Sequence, residues 1–409
     1  MIDVSQLFLP RGFRFGATTA GLKQSGRTDF ALIVADAPAS AAAVFTANRV
    51  TAAPLAIDKE NLRATGGRVR VVAINAGNAN CAAGRAGLDA ARATCRAAAE
   101  TFACKPEEVF PSSTGVIGVP LPAEKLVAAL PALAESLGSE IDHFQQVAQA
   151  ILTTDTVEKT AFARFEVSCE PGSAKQEIRI AGVCKGSGMI HPQLVPHATM
   201  LVYIMTDALV EPDVLNRYLL DAVETSFNRI SVDGDTSTND TVLVMASGAS
   251  GARLEDGNAD FADALRHVCT SLARQVVADG EGLSHLVELR INGAASNDDA
   301  VRVARSIAHS PLVKTAWAGC DPNWGRLMAA IGYSGAQIDP GRIDIWFGEL
   351  PVCREGGRAP EFDKTAAHAY FSQPEFAITI ELHQGNGFCK FWTTDLTHEY
   401  IRINADYTT

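Results

Sequence analysis

Thr199 closes the stretch CKGSGMIHPQLVPHAT (184–199), in which glycines and prolines give way to the apolar run MLVYIM. A threonine at such a seam is ordinarily a β-former. A hydroxyl presented by a constrained loop can also be a nucleophile, provided a base lies within hydrogen-bond reach. Two other segments would serve one. Ser112-Ser113-Thr114-Gly115-Val116-Ile117-Gly118 reads as a tight turn dense in hydroxyls. Its plain reading is an ST-type turn; its functional reading makes Thr114 and Gly115 an oxyanion hole, with donors facing developing negative charge. Lys185 lies upstream of Thr199 in Lys185-Gly186-Ser187-Gly188, which lacks the spacing of a phosphate-binding P-loop. A lysine there suits electrostatic support of a nucleophile, or anchorage of a carboxylate.

Other segments carry weaker signals. Glu281, in Asp279-Gly280-Glu281-Gly282, is braced by glycines in a way that can expose a carboxylate to a cleft, although an ordinary loop after a helix looks the same. The carboxylates and hydroxyls of 226–240 lack calcium-loop spacing and fit a hydrogen-bonded connection. His191 and His197 are six apart, which suits neither a helix face nor a zinc finger, so solvated loop histidines and no metal are expected. Asp321-Pro322-Asn323-Trp324-Gly325-Arg326 reads as a fixed turn. The tail, Tyr400 to Thr409, is rich in strand formers and reads as a docking segment or an edge strand.

The elements that position these residues follow from periodicity. Alternating or β-branched runs predict strands over 30–36, 69–75, 176–183, 198–205, 241–246, 286–291, 342–347 and 376–382. Helix-period stretches cover 87–103, 122–137, 212–226, 259–278 and 298–309. In 212–226, Pro212 suits the first turn while Leu215, Leu219 and Val223 recur on one face. The class is therefore α/β, and the proportions suit a layered sandwich with helices outside two stacked sheets. Loops at 184–197, 247–260 and 351–365 are the candidate boundaries.

The chain has 409 residues, 47% of them hydrophobic, enough for a large core. A formal charge of -12 argues against a nucleic-acid partner, which demands clustered basic residues. The nine cysteines form no CxxC pair, so reduced and mostly buried thiols are expected. No run of about 18 apolar residues occurs and the N-terminus lacks a signal-peptide pattern, so no membrane and a cytoplasmic location are expected.

Together the segments RGFRFGATTAGLK, AVFTANRVTAAP, INAGNANCAAG, SSTGVIG, ILTTDT, KGSGMI, ATML, SFNRISVDGDTSTND, DGEG, DPNWGR, IGYSG and INADYTT resemble, in order and over nearly the whole chain, the ornithine acetyltransferase family of bifunctional glutamate N-acetyltransferases. The resemblance implies an α/β/β/α fold of the N-terminal-nucleophile type, with a smaller packed second domain. It implies self-cleavage between Ala198 and Thr199, giving an α chain of 1–198 and a β chain of 199–409 that stay associated, in an α2β2 assembly. Thr199 would then be the nucleophile of a ping-pong transfer from N-acetylornithine to glutamate, with acetyl-CoA a possible second donor and no resident cofactor. Thr114 and Gly115 would form the oxyanion hole, and Thr153, Lys185, Thr199, Glu281, Asn404 and Thr409 the substrate site.

The physical logic of such a cut stands without the family. An α-amino group has a reference pKa of about 7.7–8.0, so breaking the preceding bond creates a base beside the hydroxyl. One departure concerns the loop HPQLVPH, which is longer than the family's usual link by roughly three residues and leaves cleavage efficiency and acceptor preference open. An amidase or aminopeptidase using water as acceptor, and an uncleaved amino-acid-binding homologue, are the alternative readings.

Overall fold

A computed structural model of the chain describes residues 3, 7–168, 175–192 and 200–406. In chain order the first half contains β1 (Phe13–Thr18), β2 (Phe30–Phe45), α1 (Ala53–Thr65), β3 (Arg68–Asn78), α2 (Gly84–Phe102), β4 (Val109–Val116), α3 (Ala123–Glu135), α4 (Ile141–Ala150), β5 (Lys159–Val167) and β6 (Gln176–Lys185). It continues with β7 (Leu201–Thr206), α5 (Pro212–Glu224), β8 (Ile230–Ser231), β9 (Thr241–Ala246), α6 (Ala259–Ala278), β10 (Leu286–Ala294), α7 (Asn297–Ala308), α8 (Pro311–Ala318) and α9 (Trp324–Gly332). The last elements are β11 (Asp344–Phe347), β12 (Leu350–Arg354), β13 (Gly357–Arg358), α10 (Lys364–Phe371), β14 (Glu375–Glu381), β15 (Gly387–Thr394) and α11 (His398–Asp406).

The first sheet runs β4-β3-β2-β9-β7-β6-β5, with β1 also paired to β2. β2 joins its two halves: residues 30–35 pair with β1 and residues 40–45 with β9, with a register break between Val34 and Ala39. Because successive strand side chains face opposite ways, each strand feeds two cores. Phe30, Leu32 and Val34 pack with Ala91, Ala98, Leu126 and Leu130 of α2 and α3. Ala31, Ile33 and Ala35 instead enter a central core with Tyr203, Met205, Leu243 and Met245. Val202, Ile204, Val242 and Val244 meet Leu215, Leu219, Phe261 and Leu272 of α5 and α6. The order helix, strand, strand, helix is the expected α/β/β/α sandwich. Each fully buried Leu or Phe in it contributes about 1.5–3 kcal/mol of transfer free energy.

The smaller packed domain has a second sheet, β13-β12-β11-β14-β10-β15-β8, backed by α7 to α10. The chain passes into it at 279–285, after α6. The short strand β8 comes from the first unit and pairs with β15, stitching the two together.

Several readings need correction. Ser112 to Gly115 belong to the strand β4 and not to a turn, paired in parallel with β3. The tail at 398–406 is a helix, α11, capped by the Thr397 hydroxyl, which accepts from the Tyr400 N–H at 3.1 Å. Asn323 caps α9, so Asp321 to Arg326 is a helix start. The polar stretch 351–365 contains most of the β12-β13 hairpin and the start of α10. His191 is buried instead of solvated. The predictions for His197, Cys169 and the residues after Asp406 lie outside the described residues.

One buried group gives a stability test. Asp58 on α1 is fully buried, and neither carboxyl oxygen has a hydrogen-bond partner among the described residues. Burial pushes its pKa well above the usual carboxylate range. A raised carboxyl costs nothing below its unfolded value of about 3.9, and the cost grows as pH rises beyond it. Asp58→Asn is therefore expected to leave stability near pH 4 almost unchanged and to raise it near pH 8, by about 1–3 kcal/mol. Denaturant midpoints at the two pH values check this, and a difference that does not vary with pH would count against it.

Candidate active site

β6 ends at Lys185 and β7 begins at Leu201, and these two residues are register partners. On the other side Leu201 pairs with Thr241 of β9, and the Thr241 N–H donates to the Met200 carbonyl at 2.7 Å. The chain is thus pinned immediately after Thr199. A cavity of about 160 Å³ opens here, lined by Thr114, Gly115, Thr153, Lys185, Met200, Leu201, Glu281 and Asn404, among others. One water needs about 10–15 Å³ on this measure, so the cavity suits a ligand of about ten heavy atoms. Every predicted site residue that the structure describes lies on its wall. Ala198, Thr199 and Thr409 fall outside the described residues.

The Thr114-Gly115 wall is built by close backbone approach. Gly115 takes φ +131°, and a Cβ there would sit 2.3 Å from the Gly77 carbonyl carbon. Only glycine fits this bulge between β3 and β4. Asn239 clamps the same wall by donating from Nδ2 to the Ala79 and Ser113 carbonyls, at 2.6 and 2.8 Å. Lys185 Nζ donates to Thr114 Oγ1 over a long 3.5 Å. That contact occupies a hydroxyl lone pair and leaves the Thr114 proton to donate elsewhere.

Behind the wall lies an ion cluster that spacing does not reveal. Lys159 is fully buried, and its Nζ meets Asp155 Oδ1 at 2.7 Å and Asp279 Oδ2 at 2.6 Å. Lys185 approaches Asp155 Oδ2 at 4.0 Å, so two cations face two carboxylates. Burial alone would raise the Asp155 carboxyl, but the charges of Lys185 and Lys159 and the hydrogen bonds from Lys159 and Thr153 hold it well below the usual range. Burial would likewise lower Lys159, yet Asp155 and Asp279 hold it above its ordinary value.

The cluster positions three loops. Asp155 accepts from the Gly186 N–H at 2.6 Å and the Thr153 N–H at 3.0 Å, and Asp279 accepts from the Thr156 N–H at 3.0 Å. The Ser187 hydroxyl donates to the Asp279 carbonyl at 2.6 Å, and the Glu281 N–H to the Ser187 carbonyl at 3.1 Å. Glu281 Oε2 in turn accepts from Asn404 Nδ2 at 2.9 Å, tying α11 to the cavity. Gly188 leaves room for that carboxylate, since a Cβ there would lie 2.3 Å from Oε2.

Asp233 closes the remaining side, accepting from the Met189 N–H at 2.6 Å and the Ile190 N–H at 2.8 Å. Burial outweighs these bonds and pushes its carboxyl up to about 6. Nearby, His309 Nε2 lies 3.1 Å from His191 Nδ1, and burial lowers the two imidazoles to about 4 and about 3 respectively. Both rings are neutral near pH 7. Among the described residues no group of three or more His, Cys, Asp or Glu side chains is placed to hold a metal ion, and no helix is long and apolar enough to cross a membrane.

The α/β/β/α sandwich, with a hydroxyl- and lysine-lined cavity beside the facing ends of β6 and β7, is of the N-terminal-nucleophile-like type. The chain belongs to the ArgJ family, whose model matches residues 14–409. The arginine biosynthesis bifunctional protein ArgJ of Geobacter sulfurreducens is 45% identical over 403 residues, 98% of this chain and 99% of that one. Its counterpart in Thermus thermophilus is 45% identical over 401 residues, with the same coverage of both chains. A crystal structure of the Bacillus halodurans protein of that name is 43% identical, spans 49% of this chain and 96% of its own, and superposes with a TM-score of 0.48.

Proposed function

We propose that this chain is a glutamate N-acetyltransferase of arginine biosynthesis, which moves an acetyl group from N-acetylornithine to glutamate through an ester on Thr199. The observation that carries the reading is the convergence of Thr114, Gly115, Thr153, Lys185, Glu281 and Asn404 on one cavity whose wall includes Met200, the residue bonded to Thr199.

The Thr199 hydroxyl first attacks the carbonyl carbon of Ala198, and the peptide C–N bond breaks as the amine takes up a proton. Water then hydrolyses the resulting ester, freeing the Thr199 amino group and leaving chains of 1–198 and 199–409. The freed amine serves as base for Thr199 Oγ. In the first transfer Oγ attacks the acetyl carbonyl of N-acetylornithine, and the C–N bond breaks as the proton passes to the departing ornithine amine. In the second the glutamate amine attacks the acetyl ester, and Oγ recovers its proton.

Thr114 Oγ1–H and the Gly115 N–H stabilise the oxyanion of each step. Lys185 supplies positive charge for a substrate carboxylate, while Glu281, Asn404, Thr153 and the tail ending at Thr409 bind polar ends. Acetyl-CoA is an alternative donor, the assembly is α2β2, and the location is the cytoplasm.

Intact mass of the purified protein, read beside acetylglutamate formation and free acetate release, tests this. Two pieces meeting at 198/199 with acetylglutamate as product support the transferase; release of acetate alone would make it a hydrolase. Thr114→Ala is expected to lower kcat by about 10²–10³ while the unfolding midpoint stays put. A kcat within tenfold of the parent would remove Thr114 from the oxyanion hole.

A further inference from the structure

In the smaller domain a thiol, an imidazole and a carboxylate come together. Cys320 lies between α8 and α9, partly exposed. Its Sγ is 4.0 Å from His285 Nε2, and His285 Nδ1 is 2.9 Å from Asp395 Oδ2. Asp395 is fixed in place by accepting from the Ser284 and His285 N–H groups at 3.0 and 3.2 Å. A carboxylate against Nδ1 holds the proton there and leaves the Nε2 lone pair facing the sulfur. The thiol also lies 3.5 Å from the Phe371 carbonyl, to which it donates at rest.

Two features set Cys320 apart. Its φ of +50° is a left-handed conformation disfavoured for a side chain with a Cβ. The other described thiols lack this company: Cys81, Cys95, Cys184, Cys269, Cys353 and Cys389 are buried, and burial together with Glu108 pushes the half-buried Cys104 up to about 11. Charged or titratable neighbours of the trio among the described residues include Asp321, next to Cys320 in the chain, Lys314, on which Asp395 and Asp233 both act, and His368, whose Nδ1 donates to the Cys320 carbonyl at 2.8 Å.

We infer that Cys320, with His285 as base and Asp395 as its orienter, is a reactive-thiol modification site for small electrophiles of the hydroperoxide class. His285 Nε2 takes the thiol proton, and the thiolate attacks one peroxide oxygen. The O–O bond breaks and an S–O bond forms, giving the sulfenic acid at Cys320. The leaving hydroxide or alkoxide takes the proton from His285, so that one hydroperoxide is reduced to water or alcohol as the sulfur is oxidised.

The test treats the full-length protein with hydrogen peroxide, traps sulfenic acid with dimedone, and measures iodoacetamide labelling rates cysteine by cysteine. At pH 7 Cys320 is expected to take the dimedone label and to alkylate about tenfold or more faster than Cys104. His285→Gln should cut the Cys320 rate by about tenfold at pH 7 and leave the Cys104 rate unchanged. The proposal fails if Cys320 in the parent protein labels no faster than Cys104, or if His285→Gln leaves its pH 7 rate unchanged.

Discussion

Thr199→Ala is expected to yield a single full-length polypeptide whose acetyl transfer is down by about 10⁴-fold or more. Alanine removes the hydroxyl proposed to attack the Ala198 carbonyl, so on that reading neither the cut nor the ester can form. The fold should survive, because the described neighbours of the junction are held independently: Leu201 in its ladders with Lys185 and Thr241, and Met200 by the Thr241 N–H. Denaturing electrophoresis and an acetylglutamate assay read the two consequences separately. A variant that is still cut, or that keeps its turnover, would assign the nucleophile elsewhere.

Lys159→Met should lower stability by about 3–5 kcal/mol. It leaves Asp155 and Asp279, both almost wholly buried, facing each other, with Lys185 4.0 Å from Asp155 and Lys23 also within electrostatic reach of it. The pH dependence carries a sign. In the parent, the depressed Asp155 carboxyl contributes stability above its unfolded pKa of about 3.9, and this is lost as pH falls through the folded value. The raised Lys159 contributes fully below about 10.4, its unfolded value, and is lost as pH rises through its folded value. The variant reverses the carboxylate part, since buried carboxylates without their cation hold protons. Its deficit should therefore already be present near pH 4, where the parent's depressed Asp155 is still ionised, and widen toward pH 7. Urea titrations at both values check this, and an equal deficit at the two would mean that lost packing dominates.

Where periodicity was strong, the fold was legible. Leu215, Leu219 and Val223 lie on the buried face of α5, behind Pro212 in its first turn. β4 was obscured because its hydroxyls and Gly115 lack the bulk that marks a strand, although parallel pairing with β3 accommodates them. α11 misled in the opposite direction: Tyr400, Ile401 and Ile403 favour strands, but none of its residues is buried, so its end cap and the Asn404–Glu281 contact decide its form. Thr114, Gly115, Lys185 and Glu281 were candidates from residue type and context, but only family likeness joined them into one site and added Thr153, Asn404 and Thr409, since nothing in spacing brings them together. Asp155 and Asp279 escaped notice because Lys159 unites them from 4 and 120 positions away.

The proposed cut falls between β6 and β7, which are neighbours inside one sheet. Separating the two products would tear a backbone ladder and open two apolar cores to water at once. Each larger fragment should therefore keep for life the companion synthesised with it, and a mixed population of mature molecules should not reshuffle halves. Damage to one half cannot be repaired by borrowing an intact one from a neighbour.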